Sequence, residues 1–126
     1  MARNLSDGYI LVVEDDLPLR TLYRSALRGA GYAVIGVEDG VDALRLVDER
    51  PPAAVVLDLV LPRLGGRDVH RELRSKPTTA RIPIVVVTGT DASDLDPNEF
   101  SSVLKKPTSP EELITAVDNC VRHAPF

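Results

Sequence analysis

Short apolar runs alternate along this chain with stretches whose apolar residues recur every three or four positions. Tyr9 to Val13, Ala33 to Val37, Ala53 to Asp58 and Ile84 to Thr88 are unbroken enough to suit strands buried on both faces of a parallel sheet. Val103 to Lys105 reads as a short fifth. Between them, Leu19, Leu22, Tyr23, Ala26, Leu27 and Ala30 trace one face of a helix that tolerates Pro18 in its first turn and stops at Gly31. Val41, Leu44 and Val47 mark a second helix ended by Pro51 and Pro52, and Val69 and Leu73 mark a short third after Gly65 and Gly66. Ser109 and Glu112 have capping-box spacing around Pro110, and Leu113, Val117, Cys120 and Val121 continue the stripe to about His123.

Strands alternating with helices imply right-handed crossovers and a doubly wound α/β fold, with any site beyond the carboxyl ends of the strands. Glu14, Asp15, Asp58, Thr88 and Lys106 all fall at or just past those ends. Three carboxylates brought together repel one another unless a cation neutralises them, and hard oxygen ligands favour Mg²⁺. Asp58, alone at its strand end, is the candidate nucleophile for an aspartyl-phosphate. Glu14 and Asp15 suit the ion, and Thr88 and Lys106 suit the phosphoryl oxygens.

Composition narrows the class further. The 126 residues fit a single domain spanning 1–126 with an ordered core at about 8–123, and a net charge of -4 with no basic tract argues against nucleic acid. No apolar run reaches the ~20 residues that would insert in a membrane, and the single Cys120 forms no internal disulfide, so the expected setting is a reducing cytoplasm.

The fragments VVEDDLPLR, VVLDLVLPRLGG, PIVVVTGT and LKKP, in this order, are similar to the receiver domain of two-component response regulators. The resemblance implies a five-stranded parallel sheet in the flavodoxin-like order 2-1-3-4-5. It also implies a phosphoryl group passing to Asp58 from the phosphohistidine of a sensor histidine kinase or histidine phosphotransfer protein. Mg²⁺ would be bound by Asp15 and Asp58, by Glu14 through water and by the backbone carbonyl of Val60. Thr88 and Lys106 would hold the phosphoryl oxygens, and the Lys106–Pro107 bond would be cis. Such a domain adds and removes its own phosphoryl group and signals to a downstream protein without being a dedicated enzyme. A receiver fragment of a hybrid histidine kinase, or an interaction module that no longer turns over phosphate, would have the same outline.

Two departures from the family pattern concern the output. The switch position three residues before the site lysine holds Val103 in place of an aromatic, and the stretch from Thr88 to Lys106 is short and carries Pro97, Asp91, Asp94, Asp96 and Glu99. The fourth helix of the family is therefore expected to be short or irregular. Elsewhere, Asp16 reads as a helix cap, Asp39 and Asp42 as solvated turn residues, His70 and His123 as surface residues, and Cys120 as core. Arg20, Arg24 and Arg28 form a row on the first helix, as Arg67, Arg71 and Arg74 do on the third; both suit a solvated face, the first a donor-docking edge as well.

Rival chemistries fit poorly. A haloacid-dehalogenase-like phosphatase needs a second acid two residues after its nucleophile, where Val60 stands. A flavodoxin-like phosphate-binding loop would be repelled by Glu14, Asp15 and Asp16.

Overall fold

The computed structural model describes residues 8–122. Its strands are β1 (Ile10–Val13), β2 (Val34–Val37), β3 (Ala54–Leu57), β4 (Ile84–Thr88) and β5 (Ser102–Lys105). The helices are α1 (Leu17–Gly29), α2 (Gly40–Glu49), α3 (Gly66–Ser75) and α4 (Pro110–Arg122). All strand pairs are parallel, in the order β2-β1-β3-β4-β5. The expected end of the last helix at His123, and with it the end of the expected core, lies outside the described residues.

Strand periodicity divides the core into two layers. Leu11, Val13, Val55, Leu57, Ile84 and Val86 meet Ala43 and Val47 of α2 and Val69 and Leu73 of α3. Ile10, Val12, Val56, Val85 and Val87 meet Tyr23 and Leu27 of α1 and Leu113, Val117 and Cys120 of α4. Both faces are covered, which is why the central strands read as continuous apolar runs. Burial pushes the Cys120 thiol up to about 11. No described helix is long and apolar enough to cross a membrane.

The edge beyond β4 is different. No α-helix joins β4 to β5 among the described residues; one 3₁₀ turn, Pro97–Glu99, stands in that connection. Phe100 is buried in its place, its ring centroid 4.4 Å from that of His70. Val103 faces outward and is 39% exposed.

Several surface assignments change. Asp39 is buried: it caps α2 by accepting from the Asp42 amide and is paired with Arg63. His70 is mostly covered, because the missing helix leaves Phe100 and the loop packed on α3. The arginine rows are not simply solvated. Arg20 and Arg28 donate to the carbonyls of Glu14 and Val34, and the stems of Arg20 and Arg24 lie over Gly36 of β2. Arg74 donates to the carbonyls of Ala80, Ile82 and Glu99, tying α3 to both flanks of β4.

Candidate functional site

The backbone ladder runs one residue past three strands and thereby sets the site. The Glu14 amide donates to the Val37 carbonyl, the Asp58 amide to Val13, and the Lys106 amide to Thr88, all at 2.9–3.1 Å. Each bond aligns a polar residue with the end of the neighbouring strand, where its side chain leaves the apolar layers. Asp16 caps α1 by accepting from the Leu19 amide, which turns the chain away directly after Asp15.

Behind Asp58 the packing is close. A Cβ on Gly66 would lie 2.1 Å from the Asp58 carbonyl oxygen, so only glycine lets α3 begin against the end of β3. The Lys106–Pro107 bond is cis.

The side chains converge as the strand ends require. Lys106 Nζ lies 2.9 Å from Asp58 Oδ2 and 2.6 Å from Glu14 Oε1. Carboxylate oxygens of Glu14, Asp15 and Asp58 lie within 4.8 Å of one another. Glu14 and Asp58 are buried, and Asp15 is exposed. The second oxygens are held by amides: Asp16 donates to Glu14 Oε2 and Val60 to Asp58 Oδ1, both at 3.2 Å. Thr88 is buried, and its hydroxyl is 3.0 Å from that of Thr90, whose amide also donates to it.

Charge is unevenly balanced here. Burial pushes the Glu14 carboxyl above its ordinary range, aided by the Asp58 charge, although Lys106 and the Asp16 amide oppose the shift. Burial works against the charged form of Lys106, but the carboxylates of Glu14 and Asp58 outweigh it and raise its pKa. Two buried acids thus share one ammonium. Glu14 Oε1 makes a close ionic contact with Lys106 but has no aligned hydrogen-bond donor. A buried carboxylate oxygen so placed, beside two more acids, fits a hard cation with oxygen ligands such as Mg²⁺.

All the site residues expected from the sequence fall at this end of the sheet except Val103, which stands on β5 facing outward. Thr90 also belongs to the site, its hydroxyl being the partner of Thr88. From the sequence, Asp39 reads as a solvated turn residue and Arg63 is not singled out. Their signal was faint: an acid just before a helix and an arginine in a loop.

Residues 10–118 match the sequence model of the response regulator receiver domain. The response regulator MprA of Mycobacterium sp. strain KMS is 41% identical over 118 residues, covering 90% of this chain and 50% of that protein. MprA of Mycobacterium leprae is 39% identical over the same length and shares. The chain spans about half the length of the curated relatives it matches. Among solved structures, a sensor protein from Polaromonas sp. JS666 superposes with a TM-score of 0.86 at 28% identity, covering 94% of this chain and 98% of that one. The receiver domain of a sensor histidine kinase from Pseudomonas aeruginosa PAO1, described with a magnesium ion coordinated in its active site cleft, gives 0.82 at 29%, covering 91% and 98%.

Proposed function

Because the chain belongs to the response regulator receiver family of two-component signalling, we propose that Asp58 is its phosphoacceptor and that Mg²⁺ is its cofactor. The observation that carries this reading is the joint contact of Lys106 with Asp58 and Glu14, beside an Asp15 carboxylate within 4.8 Å. A structural ion pair would need one acid; a site that must accept a dianionic group needs several acids for a cation and a separate ammonium.

Asp15, Asp58 and the Val60 carbonyl would hold the ion, with Glu14 acting through a water. When bound, Mg²⁺ would neutralise the acids and balance charge on the transferring phosphoryl group. Oδ2 of Asp58 faces Lys106, while Oδ1 is oriented by the Val60 amide. Attack by a carboxylate oxygen on phosphorus forms the acyl phosphate as the phosphorus–nitrogen bond of a donor phosphohistidine breaks, and the leaving imidazole takes up a proton. Lys106 then moves its charge from the carboxylate to a phosphoryl oxygen, and Thr88 exchanges its bond to Thr90 for one to another phosphoryl oxygen. The donor class is a sensor histidine kinase or a histidine phosphotransfer protein, and the phosphorylated domain acts on a downstream protein.

Intact-mass measurement after incubation with Mg²⁺ and acetyl phosphate tests this. One added phosphoryl group is expected, and none in Asp58→Asn or after chelation. An adduct that survives Asp58→Asn would move the acceptor elsewhere; no adduct from acetyl phosphate or from phosphorylated kinases would leave a binding module.

A further inference from the structure

The loop that leaves Asp58 contains the most unusual backbone of the described chain. Arg63 is the one non-glycine residue with positive φ among the described residues, at 64°. The Leu64 amide donates to the Pro62 carbonyl at 2.7 Å, closing a three-residue turn around it. A positive φ inside an i to i+2 hydrogen bond belongs to the rarer, strained kind of γ-turn, where glycine would fit at lower cost.

The arginine side chain explains why the strain persists. Its Nε and Nη2 donate to Asp39 Oδ2 at 2.8 and 2.5 Å, and Nη2 lies 3.3 Å from Asp42 Oδ1. The Asp39 side chain is only 5% exposed, and its other oxygen accepts from the Asp42 amide at the start of α2. A carboxylate fixed by a helix end therefore holds a residue of the phosphoacceptor loop. Two close approaches brace the same loop. A Cβ on Gly40 would fall 2.2 Å from the Leu64 carbonyl oxygen, and Gly66 sits under the Asp58 carbonyl. The loop opens with Val60, whose amide already orients Asp58.

We propose that the Asp39–Arg63 pair is a positioning device for the phosphoacceptor site. It fixes the loop between Leu59 and Gly65, and through Val60 and Asp58 it sets the affinity of the acidic cluster for Mg²⁺; this rests on the function proposed above. Neither residue touches the reacting groups. Both act through the backbone between them and the site, as partners outside a ligand set do in metal centres.

Calorimetric titration with Mg²⁺ alone, on the full chain, tests the pair, with amide hydrogen exchange of the loop followed on the same samples. Arg63→Gly suits the backbone but removes the cation; Asp39→Asn removes the anion but keeps an oxygen able to cap α2. The two change net charge in opposite directions, so a loss shared by both does not come from the field of the protein as a whole. Each is expected to weaken Mg²⁺ binding about ten-fold and to speed exchange at Val60 and Leu61. The double variant should lose no more than either single one. Arg63→Lys, which keeps the charge, should recover part of the loss. Single-variant affinities within about two-fold of the parent, where a coupled pair should exceed that, overturn the proposal. A parent protein that binds no Mg²⁺ overturns the function proposed above instead, and unchanged loop exchange in Arg63→Gly then overturns the positioning role on its own.

Discussion

The β3–α3 loop and the β4–β5 connection each begin at a site residue, Asp58 and Thr88, yet they are secured by different means. The first is held by the buried Asp39 carboxylate, whose partner Arg63 is 55% exposed, and by backbone pressed against Gly40 and Gly66. The second is held by local Asp turns at Asp91 and Asp96, by the Phe100 ring, and by an Arg67–Asp94 pair whose side chains are 44% and 68% exposed. Exposed pairs of that kind contribute about 0–1 kcal/mol, whereas contacts around buried groups resist change much more strongly. Rigidity is concentrated where the phosphoryl group would arrive. The more exposed and more local contacts lie beyond Thr88, on the flank where the sequence departs from its family.

Removing Lys106 should break this contrast most severely, because its ammonium, just past the end of β5, balances two buried acids, Asp58 at the start of the first loop and Glu14 at the end of β1. Lys106→Met is expected to cost about 3 kcal/mol of stability. Saturating Mg²⁺ should restore much of that loss in denaturant unfolding. A loss indifferent to Mg²⁺ would mean that the acids are not a cation site.

Arg74 tests the other side. It ties α3 to the β4–β5 connection at the Glu99 carbonyl and to the segment before β4 at the Ala80 and Ile82 carbonyls, and Arg74→Met should cost about 2 kcal/mol through these three lost bonds. Hydrogen exchange should rise in residues 89–101 while the amides of β1 and β3 stay protected. Uniform loss of protection would show that the connection is part of the core.

The smallest effect is in pH, and it has opposite signs at His70, which packs on Phe100 of the β4–β5 connection, and at Glu14, which shares Lys106 with Asp58. Burial lowers the His70 pKa, with Arg74 and Arg71 adding to the shift and Glu99 opposing it. Its stabilising contribution is therefore present above the ordinary value of 6.5 and is lost as pH falls through the folded value. Glu14 is raised instead, so without Mg²⁺ its contribution is complete below the ordinary 4.5 and is lost as pH rises through the folded value. Unfolding measured across mildly acidic pH should change slope one way in His70→Gln and the other way in Glu14→Gln. Equal slopes would remove the contrast.

Much of this was legible in the sequence because of strand burial. Strands covered on both faces must be continuously apolar, so the first polar residue after each such run marks both a strand end and a candidate site position: Glu14, Asp58 and Thr88 follow directly. The chemistry of the strand-end residues separated Asp58 as nucleophile from Glu14 and Asp15 for the ion, while the family resemblance supplied the strand order, the water-mediated role of Glu14 and the Val60 carbonyl. Asp39 was misjudged because an acid at a helix start is usually solvated, and only the fold brings Arg63 onto it from 24 positions away. Arg74 was misjudged for a related reason. Helical spacing reveals which residues share a face, but not that the fold brings the carbonyls of Ala80, Ile82 and Glu99 beside that face.

The burial of Cys120 has a practical side. The chain has one cysteine and no tryptophan, and that cysteine lies in the α4 layer with its thiol held at about 11. Thiol-directed dyes attack the thiolate, which is scarce at neutral pH for such a group and shielded as well. A cysteine or tryptophan introduced at Ser93 would thus be a near-solitary optical reporter, attached to the native background without first deleting anything. The motion of the β4–β5 connection could then be timed directly after acetyl phosphate is added.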